Sequence, residues 1–202
     1  GKMAIETDKN PTKLYNKENC DTLGIKIPDG YTEIGLSAFK DCTGLQSVEI
    51  PGSVDMISTN AFSGCTALNT VNFDDDTAAS LTINLGAFAN CTALSTVNLP
   101  SKLKTISYGL FASCSNLTKI EIPEGVTSID GYAFYTCTSL KEINIPEKVA
   151  SIGEAAFYYC AALESIEIPK SVDDIGSYAF DSCSNLTMSG YSSSAAKTYA
   201  SE

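Results

Sequence analysis

A unit of 23 residues recurs along most of this chain, reading Val-x-x-Ile-x-x-x-Ala-Phe-x-x-Cys-x-x-Leu-x-x-Val-x-Ile-Pro. Its Phe column is Phe39, Phe62, Phe88, Phe111, Phe134, Phe157 and Phe180. A Cys follows each Phe by three residues (Cys42, Cys65, Cys91, Cys114, Cys137, Cys160, Cys183), and a Leu follows each Cys by three more, from Leu45 to Leu186. An Ile precedes each Cys by eight residues, from Ile34 to Ile175. A fixed period of roughly 20–50 residues marks a solenoid, in which each coil buries its apolar face only against its neighbours.

The unit at 126–146 shows how one coil is built. Leu140, Ile143 and Ile145 point inward while Glu142 and Asn144 alternate outward, the period of two that marks a short strand with one buried face. Pro146 stops that strand, because proline has no amide hydrogen for the ladder. Ala133, Phe134 and Cys137 fall at i, i+1 and i+4, a narrow apolar stripe that predicts a short helical segment. Asp130 stands just ahead of it, and Gly35, Ser58, Asn84, Ser107, Gly153 and Gly176 share its slot. Such residues cap helices or make turns. The opening Val126-x-x-Ile129 packs inward as a second short strand. The expectation is an α/β repeat solenoid with parallel strands on one side, helical turns on the other and right-handed crossovers.

Eight cysteines could suggest four disulfides. Seven of them occupy one repeat position and so form one column along the stack. Neighbouring rungs lie ~4.8 Å apart, whereas a bridge wants Cβ atoms nearer ~3.8 Å. The column reads as buried thiols used as small apolar filler, with every thiol free. Cys20 falls in the same register, in a half-unit one residue short. Zinc is disfavoured, since the chain has no His and no closely spaced Cys pair.

The charge is 13 Lys against 24 acids, a net of −11, with no Arg, His or Trp. This makes the chain a poor partner for nucleic acid, heparin-like glycans or anionic membrane. The commonest acid–base residue at neutral pH is missing, and no nucleophile–base pair can be named, so no catalytic residue and no cofactor are expected. No apolar run reaches ~20 residues, so no membrane span is expected.

The phrase Ile-Pro-Glu-Gly-Val-Thr-Ser-Ile-Asp-Gly-Tyr-Ala-Phe-Tyr-Thr-Cys-Thr-Ser-Leu at 122–140 closely resembles the BspA-type leucine-rich repeat, as do 145–157 and 168–180. The resemblance runs over about residues 20–191. It implies a curved, right-handed leucine-rich solenoid with a concave parallel sheet and short helical turns on the convex side. It also implies a secreted or cell-surface protein of host-associated bacteria or protozoan parasites, with a role in adhesion to host proteins and other cells. The family offers no catalytic motif to carry over. The organisation expected is an N-terminal cap or linker at 1–19, the solenoid at 20–188, and a C-terminal cap at 189–202 whose helix starts at Ser193 or Ser194. A monomer is expected, with a signal peptide already removed.

Function should lie in what changes between units. Cys65 and Cys91 are 26 residues apart, three more than the period, and the insertion follows Phe73 with Asp74, Asp75 and Asp76. Three adjacent carboxylates make a weak calcium candidate, against the reading of a solvated turn. The outward sheet columns, Glu49, Asn72, Asn98, Glu121, Asn144 and Glu167, are polar and acidic. They suit a glycan or a basic peptide, or form a plain solvated face. Tyr135, Tyr158 and Tyr159, with Tyr132 and Tyr178 nearby, either cover seams between turns or form an adhesive surface. The leading functional expectation is a non-catalytic protein-interaction scaffold; the alternative is a glycan-binding module.

Overall fold

The computed structural model describes residues 4–5, 20, 22–74, 80–190 and 199. The chain coils into a stack in which each repeat contributes two short parallel strands. The longer strand follows the Leu column: Gly24–Lys26, Ser47–Ile50 and Thr70–Phe73 pair in order, then Thr96–Asn98, Lys119–Glu121 and Glu142–Ile143, then Ser165–Glu167 and Thr187–Ser189. The register sets Val48 beside Val71 and Ile120 between Val97 and Ile143. Apolar residues therefore fall on one face and Glu49, Glu121 and Glu167 on the other, as the period of two requires.

A second ladder follows the Ile column in two-residue strands: Glu33–Ile34, Met56–Ile57 and Thr82–Ile83, then Thr105–Ile106, Ser128–Ile129, Ser151–Ile152 and Asp174–Ile175. A parallel bridge between Leu81 and Leu103 joins the two groups. Ala4–Ile5 adds itself beside Glu33–Ile34, so the segment ahead of the first unit extends this ladder.

The expected helical turns are not there. The stretch around each Phe is a run of tight turns, and the reason is visible in the backbone. Each unit holds two residues in the left-handed region, two before and two after the Phe: Ser37 and Asp41, Asn60 and Gly64, Gly86 and Asn90, Gly109 and Ser113, Tyr132 and Thr136, Ala155 and Tyr159, Tyr178 and Ser182. A right-handed helix cannot pass through such positions. The hydrogen bonds follow suit. The amides of Tyr132, Phe134 and Thr136 donate across to the carbonyls of Glu154, Ala156 and Tyr158 at 2.7–2.8 Å. The intervening amides of Ala133, Tyr135 and Cys137 donate within the coil, to residues three back. Every second amide thus ties one coil to the next, and the turns form a third ladder. Asp130 and its equivalents open a turn rather than cap a helix.

The core is the stack of columns. Phe39 through Phe180 lie face to face, with ring centroids 5.0–5.9 Å apart and planes within 17°. The Leu and Ile columns are buried beside them from Leu45 to Leu163 and from Ile34 to Ile152.

The thiol expectation needs one correction. Cys20 and Cys42 form a disulfide, with Cα atoms 4.9 Å apart. Two things set this pair apart from the rest of the column. Its members are 22 residues apart, one short of the period, and Lys17 stands where a Phe would precede Cys20. Cys65, Cys91, Cys114, Cys137, Cys160 and Cys183 are free thiols, and each donates to the carbonyl of the Phe one coil back at 3.0–3.3 Å. Cys42 follows a coil that has no such Phe.

At Phe180 the pattern changes: among the described residues no backbone carbonyl of a following coil takes its amide. The Tyr199 hydroxyl accepts it at 2.7 Å, and the Tyr199 ring meets Phe180 edge-on at 5.6 Å. The expected helix start at Ser193 or Ser194 lies outside the described residues.

Candidate functional site

The two sides of the coil differ in what they show to solvent. On the sheet side Glu49, Asn72, Asn98, Glu121, Asn144 and Glu167 are all exposed, as expected from the alternation. Asn144 is nevertheless engaged. Its side-chain oxygen accepts the Ile122 amide at 2.9 Å and its side-chain nitrogen donates to the Ile122 carbonyl at 3.1 Å. It continues the ladder past the two-residue strand Glu142–Ile143. Two shallow hollows lie along this side. One, of about 440 Å³, runs between Asn144 and Glu167, and a smaller one of about 230 Å³ joins Glu121 to Asn144.

Of the insertion's carboxylates, Asp74 is exposed and its amide donates to the Ile50 carbonyl at 2.9 Å. Asp75 and Asp76 lie outside the described residues, and with them the weak calcium candidate. The ladder resumes without a shift, the Thr82 amide donating to the Asp55 carbonyl.

The turn side carries the aromatics. Tyr135 stacks on Tyr158 with centroids 5.3 Å apart and planes at 14°. They stand one residue after the buried Phe in successive coils, so the third ladder brings them into register. Tyr132 meets Tyr135 at 5.1 Å and Tyr108 meets Tyr132 at 5.3 Å. The result is a ribbon of four rings, Tyr108–Tyr132–Tyr135–Tyr158, crossing three coils. Gly131 makes room for it: a methyl group added there would come within 3.1–3.3 Å of the Tyr108 ring. The Glu154 carboxylate beside Tyr132 pushes its phenol up, with smaller effects from burial and from Tyr108 and Tyr135. Tyr159 is exposed on the same side but stands outside the ribbon.

Sequence reasoning found Tyr132, Tyr135 and Tyr158 and missed Tyr108, which sits at a different repeat position. It also missed Leu36 and Leu85, which share Tyr108's position, three residues before the Phe, and are exposed. Together with Tyr159 and Tyr178, these make the turn side the home of the exposed large apolar side chains among the described residues, Leu23 excepted. The signal was available in the columns: the slot three before Phe should be polar if it faces water, and in three units it is Leu or Tyr.

Comparison with known proteins agrees with this architecture. The chain is similar to the leucine rich repeat protein of T. pallidum, at 28% identity over 83% of this chain and 79% of that one, with a TM-score of 0.74. It is similar to a leucine rich cell surface protein of Faecalibacterium prausnitzii, at 27% identity over 84% of this chain and 60% of the other, TM-score 0.52. A leucine-rich repeat protein of Bacteroides ovatus shares the fold, at 24% identity over 82% of this chain and 66% of its own, TM-score 0.51. The chain thus spans somewhat less than two thirds of the latter two proteins. None of the curated proteins matches it. Residues 13–114 and 77–187 match the family described as BspA type leucine rich repeat region, in six copies. By that match, which takes in most of its length, the chain belongs to the BspA type leucine rich repeat family.

Proposed function

We propose that the chain is a non-catalytic interaction scaffold, secreted or held at a cell surface, that adheres to host or cell-surface proteins through its turn side. The observation that carries this is the segregation of exposed apolar and aromatic side chains onto the turns, while the sheet side is polar. Interfaces are enriched in aromatic anchors and depleted of small polar residues, and tyrosine gives large contact area at low entropy cost. A relative named as a cell surface protein supports the location. Among the described residues no helix is long and apolar enough to cross a membrane.

The test is binding of the chain to a panel of immobilised, purified host extracellular proteins, compared with the double variant Tyr135→Ser/Tyr158→Ser. At least one protein should bind, and the double variant should lose at least tenfold in affinity while still melting cooperatively. Equal binding by both forms would move the interface to the sheet side. Hits on neutral sugars in a glycan array, with no protein bound, would replace this reading with a glycan-binding module.

A further inference from the structure

The turn side of the last four units has an electrostatic character of its own. Segments 107–114, 130–137, 153–160 and 176–183 contain six tyrosines, the three acids Asp130, Glu154 and Asp181, and no lysine. One of these acids, Glu154, stands beside a ring of the ribbon. Glu154 lies one coil beyond Tyr132, whose amide donates to the Glu154 carbonyl at 2.8 Å, and its carboxylate is the charge that acts most strongly on the Tyr132 phenol. Asp181 occupies the repeat position of Tyr135 and Tyr158 in the next coil, and so continues their column; the Tyr159 amide donates to the Asp181 carbonyl at 2.8 Å, and Asp181 Oδ1 accepts from the Tyr199 hydroxyl at a long 3.5 Å, which leaves its other oxygen for a partner. Glu154 and Asp181 are exposed. Carboxylates beside aromatic rings repel an anionic ligand and are costly to cover with a neutral one, because they lose water and gain no partner. They suit a cation, which pairs with the carboxylate and is also attracted to the ring face.

The geometry points to a basic, extended segment of a partner protein lying along the ribbon Tyr108–Tyr132–Tyr135–Tyr158, its Lys or Arg side chains set between the rings and the carboxylates of Glu154 and Asp181. This rests on the turn side being the interaction surface and adds the chemistry of what binds there. The ring-to-ring steps of 5.3, 5.1 and 5.3 Å follow a bent path, so the track spans at most about five extended residues at ~3.3 Å each. The chain's net charge of −11 would draw such a segment in from a distance. It does so without choosing a face, so the sheet-side acids serve as the internal control.

The experiment uses fluorescence anisotropy of a labelled peptide of alternating Lys and Gly, with a Gln/Gly peptide of equal length as the neutral probe. The Lys peptide should bind at least tenfold more tightly than the Gln peptide and weaken as salt is added. Glu154→Gln and Tyr135→Ser/Tyr158→Ser should each weaken it several-fold or more, while Glu121→Gln/Glu167→Gln on the sheet side should leave it unchanged. Glu154 is exposed, so its variant keeps the fold, and a melt confirms this for the tyrosine pair. The inference is overturned if the Lys peptide fails to bind, or if the sheet-side variant weakens it as much as Glu154→Gln does. Suppose instead that host proteins lose binding with the tyrosine pair while Glu154→Gln and salt have no effect. The scaffold reading then stands and the basic partner falls.

Discussion

Each buried column residue answers to its neighbours one coil away, and this decides what a substitution costs. Phe111 is fully buried between Phe88 and Phe134, at 5.9 and 5.7 Å. Truncation removes a ring from the middle of the stack and leaves a cavity that the rigid ladders on three sides cannot close. Phe111→Ala should therefore cost about 3–5 kcal/mol, read from thermal or urea melts; an unchanged midpoint would rule out the stack as the spine of the core. The thiols make a different prediction. Burial pushes Cys65 and Cys114 up to about 12 from an ordinary 9.0, and raises Cys91 and Cys137 as well. The folded chain then keeps these protons while the unfolded chain loses them above pH 9. Their contribution to stability is complete below pH 9 and declines as pH rises from there toward 12, by about 1.4 kcal/mol for each pKa unit that separates the two states. Urea midpoints taken below and above pH 9 should fall at the higher pH, and Cys114→Ala should flatten that slope. A slope that Cys114→Ala leaves untouched would show that other groups set it.

The turns are the element in which sequence and structure part. Ala-Phe-x-x-Cys has the spacing of a helical stripe, yet the same spacing is produced by alternating left- and right-handed residues that send every second amide to the next coil. Hydrophobic spacing alone cannot separate the two, because both bury the Phe and the Cys. The clue was the slot two before the Phe, where Asn60, Gly86 and Gly109 stand; residues of that kind in a fixed slot announce a positive φ. The strands were legible, since alternation and a terminal proline leave one arrangement. Coil-to-coil closeness at the turns gives the test. A methyl group at Gly153 would collide with the Gly131 nitrogen and lie 2.6 Å from the Asp130 carbonyl carbon, both backbone atoms that cannot swing aside. Gly153→Ala should cost about 1–3 kcal/mol through forced separation of the two coils, whereas Ala at exposed Glu154 should change a melt little. Equal midpoints for the two variants would mean that the turn ladder yields freely.

Over the whole molecule the stack behaves as a one-dimensional array, so its ends decide how it frays. The candidate site was half legible on this scale. Columns told which residues share a face, but Tyr108 joins the ribbon from another column, through a contact that is eased by the lack of a side chain at Gly131. The ends were less legible still, because each solves its problem once. At the first coil the Cys20–Cys42 disulfide replaces a thiol-to-carbonyl bond. At the last Phe, a hydroxyl takes the place of a backbone carbonyl, as Tyr199 accepts the Phe180 amide where Phe157 and its predecessors give theirs to an alanine or leucine carbonyl. Tyr199→Phe keeps the ring against Phe180 and removes that acceptor, together with the long, exposed bond of 3.5 Å that the hydroxyl donates to Asp181 Oδ1. The partly buried amide is left unpaired, at a cost of about 1–3 kcal/mol. Because coils feel only their neighbours, the loss should stay local. Hydrogen exchange should quicken at Phe180 and the turn amides beside it while Phe134 and Phe111 keep their protection. Uniform loss of protection along the chain would show instead that the array unfolds as one unit and that the cap stabilises it throughout.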